Sequence, residues 1–342
     1  MNRPVYLVLS LDVEEEGLFR GIYARRGHTT ANTAALYRLE DFCRLGVRPT
    51  LFCAYSVMED VRSRKHLAHL CQQHSVELGA HLHHWNTPPL TLDGSDASLS
   101  NCAASVSAFA VPVPLMAAKL HTLLERGRNL LDTPLTSFRM GRWDAHQALW
   151  PLLVQEGILA DASVRPLHCY ASALAGPDHF DAPGGPYWIT TDKGKIFELP
   201  LSVTPLLRGL PALLQRLPDV VAARLKSSLR QWGVLALLPV YHPLWLMKLV
   251  ARLYVERGGQ VLSLTWHSSE MAPGATPHIP DVRAVDRLLA KALDWIRWLF
   301  ANFTVRCLTL GELAEELGPS APAPCGEGDW SGFPPQAAPS VN

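Results

Sequence analysis

The chain has no Cys-x-x-Cys pair, and its seven cysteines are scattered singly. That excludes a disulfide-stapled scaffold and a structural zinc ribbon, and makes reduced thiols in a reducing compartment the default. It also lacks a charge excess, with 31 Lys and Arg against 31 Asp and Glu. Without surplus positive charge to neutralise phosphates, nonspecific nucleic-acid binding is not expected. Long apolar runs are missing too. A membrane span needs about 20 apolar residues in succession, whereas the most apolar stretch, 234–254, is interrupted by Pro239, His242, Pro243, Lys248 and Arg252. No span is predicted, and contact with a membrane surface is left open. The opening residues MNRPVYLVLSLDVEEEG pass from a short apolar stretch straight into acids, without a small-residue cleavage site. They read as a buried first strand, not a secretory leader, so a cytoplasmic location is expected.

What is present is a large potential core: 342 residues, 48% of them hydrophobic, enough for one large domain or two ordinary ones. Short apolar runs alternate with amphipathic ones. Strands are read at 5–13, 49–54, 76–83, 135–140, 159–164, 196–199, 260–266 and 303–307. Helices are read at 32–45, 58–74, 113–131, 144–156, 210–231, 244–257, 282–302 and 309–317. Asp144 is placed as the cap of the fourth helix and Pro151 as a kink within it. The segment from Val164 to Lys195 is read as a long Gly/Pro loop. Repeated βα units predict an α/β fold, a deformed barrel of seven or eight parallel strands over residues 1–317, with the active site at the C-terminal strand ends. Residues 318–342, rich in Pro, Ala, Gly and Ser, read as a disordered tail.

The chemistry-bearing residues gather where strands end. The first strand closes on Ser10-Leu11-Asp12-Val13-Glu14, and side-chain alternation puts Asp12 and Glu14 on one face. The third ends Gly79-Ala80-His81-Leu82-His83-His84-Trp85, with His81, His83 and Trp85 sharing a face. Two imidazoles and one carboxylate, with a position left for water, are the composition of a catalytic zinc site. The second carboxylate is then free to act as base. The fourth strand carries Arg139, placed to hold that base bidentately. Asp161 is a polar residue inside an apolar strand. His267 follows the strand at 260–266 and could protonate a leaving group from the rim.

Five motifs, LSLDVEEEG, ELGAHLHHWNTPP, SFRMGRW, ADASV and LTWHSSEMAPGATP, occur in an order that resembles the polysaccharide deacetylase family with the NodB-homology fold. The resemblance spans roughly residues 4–317 and implies a bacterial enzyme linked to polysaccharide biosynthesis. It implies Asp12 as catalytic base, Glu14 and His81 as metal ligands, and Arg139 as the partner of the base. It further implies His267 as general acid and Asp161 as the residue that orients that acid. Two departures stand out. The family's second metal histidine usually lies four residues after the first, where this chain has Trp85. His83 is assigned instead, because it shares the face of His81, with His84 as the alternative. The family's Arg-x-Pro is here Arg139-Met140-Gly141.

The activity implied is removal of N-acetyl or O-acetyl groups from an amino-sugar polysaccharide or its precursor, with a divalent metal, zinc by preference, as cofactor. Trp85 and Trp143 are candidate platforms for sugar rings. The competing expectations are a catalytically silent barrel that binds polysaccharide or a biosynthetic partner, and a glycosidase working through two carboxylates.

Overall fold

A computed structural model describes residues 4–90, 107–131, 134–168, 176–215, 225–226, 228–229 and 233–319. The expected tail therefore lies, from residue 320 onward, outside the described residues. The strands are β1 (Val5–Val13), β2 (Thr50–Ala54), β3 (Glu77–Leu82), β4 (Ser137–Met140), β5 (Ala160–Asp161), β6 (Tyr187–Thr191), β7 (Gly194–Glu198), β8 (Val203–Pro205), β9 (Val234–Ala236), β10 (Val261–His267) and β11 (Val305–Cys307). The α-helices are α1 (Glu40–Arg44), α2 (Tyr55–Glu59), α3 (Val61–Gln73), α4 (Val113–Leu131), α5 (Leu149–Gln155), α6 (Leu210–Gln215), α7 (Leu244–Glu256), α8 (Val282–Asn302) and α9 (Leu310–Glu316).

Nine strands form one curled sheet in the order β10-β1-β2-β3-β4-β5-β7-β6. All neighbours are parallel except β6, which runs antiparallel to β7, and β11 pairs in parallel with the first residues of β1. This is the deformed barrel expected. Between its two sides, residues 199–202 act as a strap: Leu201 N–H donates to the Val164 carbonyl and Ser263 N–H to Ser202 Oγ. A separate two-stranded sheet, β8 with β9, follows the strap.

Alternation along β1 explains both the core and the site. Leu7, Leu9, Leu11 and Val13 pack into the layer of helices, while Tyr6 and Val8 join the inner cluster with Phe52, Phe197 and Val261. The inner cluster is completed from below by Leu310, Leu313 and Ala314 of α9. One end of the barrel is thus sealed with apolar side chains. At that end the polar groups Thr50, Glu77 and Ser137 hydrogen-bond one another and the first N–H groups of α9. The other end, where the parallel strands terminate, gathers the titratable side chains of the candidate site.

Several local expectations are corrected. No helix starts at Asp144: α5 begins at Leu149, and Asp144 instead accepts from Ala108 N–H at 2.6 Å and contacts His146 at 2.9 Å. Pro151 falls in the first turn of α5, where its missing N–H has no helical partner to lose, so it starts the helix and does not kink it. The supposed loop before Lys195 contains β6, whose aromatic and β-branched run Tyr187–Thr191 turns back through Asp192-Lys193 into β7. Residues 31–39 form a 3-10 helix that hands over to α1. The helix expected over 210–231 is described as α6 only to Gln215, and residues 216–224 lie outside the described set.

Candidate active site

Glu14, from the exit of β1, meets His81 and His83, from the end of β3; one ligand atom from each lies within 4.8 Å of the others. All three are buried, at 4%, 1% and 1% exposure. Glu14 Oε2 stands 3.6 Å from His81 Nε2 and 3.5 Å from His83 Nε2. That is long for a charge-assisted hydrogen bond. It is close to the ~3.4 Å edge of a tetrahedron built on ~2.1 Å metal–ligand bonds. Both ring nitrogens are aimed by partners on their far side. His81 Nδ1–H donates to the Arg139 carbonyl at 3.0 Å, which leaves its Nε2 buried without a hydrogen-bond partner. His83 Nδ1–H donates to Glu15 Oε1 at 2.9 Å, and Glu15 is itself fixed by Asn86 at 2.6 Å and Ser56 at 2.8 Å. The orphaned Nε2, the converging carboxylate and the donor types together fit a divalent metal.

The charges agree. Burial works against the carboxylate of Glu14, yet His267, His81 and His83 hold its pKa below the usual value. Burial likewise works against a charged His83, but Glu15 and Glu14 raise it to about 9. A positive charge is therefore favoured between these groups, and a divalent cation would replace the proton on that nitrogen. His84, the alternative ligand, is buried beside Trp85 and stands outside this cluster.

Beside this trio lies a second arrangement. Arg139 Nη1 donates to Asp12 Oδ1 at 2.6 Å and to Thr265 Oγ1 at 2.9 Å, Nη2 donates to Ser10 Oγ, and Nε donates to the Ala162 carbonyl. The guanidinium also lies over the rings of Phe52 and Trp143. Burial would raise the pKa of Asp12, but Arg139, His81 and His267 bring it down to about 2. Asp12 is held ionised, with Oδ2 left facing His267 Nε2 at 3.7 Å. His267 stands in register with Asp12 across the β1–β10 pair. Its backbone N–H donates to Glu270 Oε2 at 2.8 Å, and its Nδ1–H points to the same oxygen at 3.2 Å. Burial disfavours the imidazolium, yet Glu270, Glu14 and Asp12 lift His267 to about 10. A carboxylate held ionised and an imidazole held protonated thus stand side by side, the division of labour that acid–base catalysis needs.

Two expected site residues are placed elsewhere. Asp161 does not approach His267. Ala160 and Ala162 face the barrel interior, so alternation sends Asp161 to the outer face. There it accepts from Trp150 Nε1 at 2.8 Å and from Ser163 Oγ. Glu270 holds the position beside His267 that had been expected of Asp161. Its signal was legible as a His-x-x-Glu spacing just past a strand, the spacing of a short cap. Trp85 is 0% exposed and stacks on His83, ring centroids 4.2 Å apart, with Tyr23 against its edge. It buttresses a candidate ligand and offers no face to a sugar. Trp143, half-buried over Arg139, remains at the rim; it and Arg142 both take left-handed backbone conformations, φ 58° and 60°. Glu15, Asn32 and Ser268 carried no separate signal. Asn32 Nδ2 ties the Glu14 carbonyl to Ser268 and Ser269, joining the ends of β1 and β10.

Neither a family model nor a curated protein matches the chain. Solved structures do. A protein from Mycobacterium smegmatis assigned as a polysaccharide deacetylase aligns over 92% of this chain and 90% of its own, at 15% identity and TM-score 0.52. A Parabacteroides distasonis protein assigned as a glycoside hydrolase or deacetylase aligns over 96% and 77%, at 11% identity and TM-score 0.54. The 4-alpha-glucanotransferase of Thermococcus litoralis aligns over 94% of this chain but 42% of its own length, at 11% identity and TM-score 0.54. Likeness at such identities speaks for the backbone alone: the chain has the deformed barrel fold found in the protein assigned as a polysaccharide deacetylase.

Proposed function

We propose that the protein is a metal-dependent hydrolase that removes N-acetyl groups from an amino-sugar polysaccharide or its precursor. The observation that carries this reading is the adjacency of a Glu14–His81–His83 trio to an ionised Asp12 and a protonated His267. A divalent metal held by the trio would polarise an acetyl carbonyl and lower the pKa of water from about 15.7 toward about 7. Asp12 takes the proton of the attacking water through Oδ2, because Arg139 occupies Oδ1. Arg139 keeps the carboxylate ionised and fixes its plane. His267 then delivers a proton to the leaving nitrogen, and Glu270 holds the imidazole at Nδ1 so that Nε2 faces the reaction.

Asp12 and Glu14 do not form a free carboxylate pair. One is engaged with an arginine and the other with two histidines, which argues against a two-carboxylate glycosidase. The test is release of acetate from a panel of N- and O-acetylated glycans, with elemental analysis of the same protein preparation. Acetate release that stops with a chelator and returns with zinc is expected. Shortened glycan chains without acetate would overturn the reading in favour of a glycosidase. Metal-free, inert protein that still binds glycan would overturn it in favour of a silent barrel.

A further inference from the structure

The stretch between β7 and β10 differs from the rest of the chain in charge and exposure. The described residues of 205–257 hold five Lys and Arg against one Glu, in a chain whose total is balanced. The remainder is correspondingly acidic. The same stretch contains Leu206, Leu207, Leu213, Leu225, Tyr241 and Trp245, all large apolar side chains that are exposed, with Leu207 at 67% and Trp245 at 66%. A scattered exposed leucine means little, but a concentration of them in one unit marks a contact surface.

Leu206, Leu207, Leu213 and Trp245 lie on or beside the elements of one packed unit, in which Val203 of β8, Ala236 of β9 and Leu214 of α6 share a buried cluster. Arg257, at the C-terminal end of α7, donates to the carbonyls of Pro205 and Leu206, which ties that end of the helix to the turn bearing Leu207. Trp245 stands at the opposite end, so the two aromatic and aliphatic anchors are separated by roughly 20 Å, the length of a 13-residue helix. One side of α7, with Met247, Val250, Ala251 and Tyr254, is buried in the core. The other carries Trp245, Lys248, Leu249 and Arg252, with Lys248 and Arg252 lying over the ring of Trp298. Exposed leucine and tryptophan side chains flanked by long basic ones, Arg252 itself exposed, match an interface between hydrocarbon and anionic headgroups. A second copy of this chain fits poorly, since the positive stretch would oppose itself.

We propose that the unit built from β8, β9, α6 and α7 docks the protein on an anionic lipid surface, with Leu207 and Trp245 entering the bilayer interface and the basic side chains facing the headgroups. The test is flotation of the full chain with vesicles of phosphatidylcholine alone and of phosphatidylcholine mixed with phosphatidylglycerol. Binding to the mixed vesicles only, weakening as salt is raised, is expected. Leu207→Ser and Trp245→Ser should each weaken it about tenfold, and Arg252→Gln about fivefold. Tyr37→Ser, an exposed apolar residue outside the unit, should leave binding unchanged, and circular dichroism checks that each variant is folded. Absence of binding to either vesicle by the folded protein overturns the proposal. So does binding that the Leu207 and Trp245 variants retain, or a concentration-dependent dimer that Trp245→Ser abolishes in the absence of lipid.

Discussion

His83 and Gly141 make sense only together. A Cβ built on Gly141 would lie 2.4 Å from His83 Cδ2 and 3.0 Å from its Nε2, so the imidazole occupies the space a side chain would need. The resemblance led one to expect a proline there and a histidine four positions after His81. The chain departs at both places: Trp85 stacks behind His83, and Gly141 clears the ground in front of it. A histidine moved from one position to the other just past β3 thus comes with the loss of a side chain just past β4. Gly141→Ala should push the His83 ring out of line and cut metal content sharply, while the fold survives. Elemental analysis with a melting curve checks it, and full metal content in a folded variant would show that His83 is not a ligand. Asp12→Asn makes the complementary test. It should keep the metal and lower acetate release by about 10²–10⁴-fold, the usual contribution of a general base. Metal loss in that variant would instead exchange the roles of Asp12 and Glu14.

Among the elements, strand periodicity was legible wherever a strand was long or carried a run of polar residues on one face. Glu14, His81, His83, Arg139 and His267 converge because each sits at the inward phase of a strand leading to the same end of the barrel. The same rule, applied to β5, would have excluded Asp161, since Ala160 and Ala162 are the inward pair. A two-residue strand gives too little sequence to fix its phase, and it was the resemblance alone that placed Asp161 beside His267. The missing partner of His267 comes from the short 3-10 turn Ser268–Met271, where Glu270 closes a capping box on the histidine's own backbone. Glu270→Gln keeps the shape and removes the charge that raises His267. The imidazole should then lose its proton at lower pH. The alkaline limb of the pH–rate profile should move down, with KM little changed. Glu270→Asp should restore part of the shift. A profile that does not move would assign Glu270 to support of the turn alone.

For the whole molecule, the outer face of β5 and β7 holds a buried carboxyl pair that strand periodicity did not announce. Asp161 and Glu198 are register partners, both fully buried. Burial, together with the neighbouring carboxylate, raises Glu198 well above its ordinary value, and burial raises Asp161 as well. Protonation of this pair is therefore linked to folding. Below about pH 3 both folded and unfolded chains hold these protons, and the pair has no pH-dependent effect. As pH rises, the unfolded chain releases its protons first, so stability declines until the folded-state pKa is passed, by at most about 1.4 kcal/mol per pH unit for one proton. Asp12 and Glu15, both lowered to about 2, contribute in full above about pH 5 and do not change across that window. His83 and His267, raised to about 9 and about 10, lose their contribution as pH rises above their unfolded value of about 6.5, but equally in any variant that leaves them in place. Glu198→Gln should therefore gain stability relative to the native chain as pH increases from about 5 to about 8. Its amide can still accept from Val164 N–H, as Glu198 Oε1 does at 3.0 Å. Urea unfolding at several pH values reads the difference directly. Parallel stability curves for the two proteins would mean that Glu198 is ionised in the folded barrel, with its charge met by a group other than Asp161.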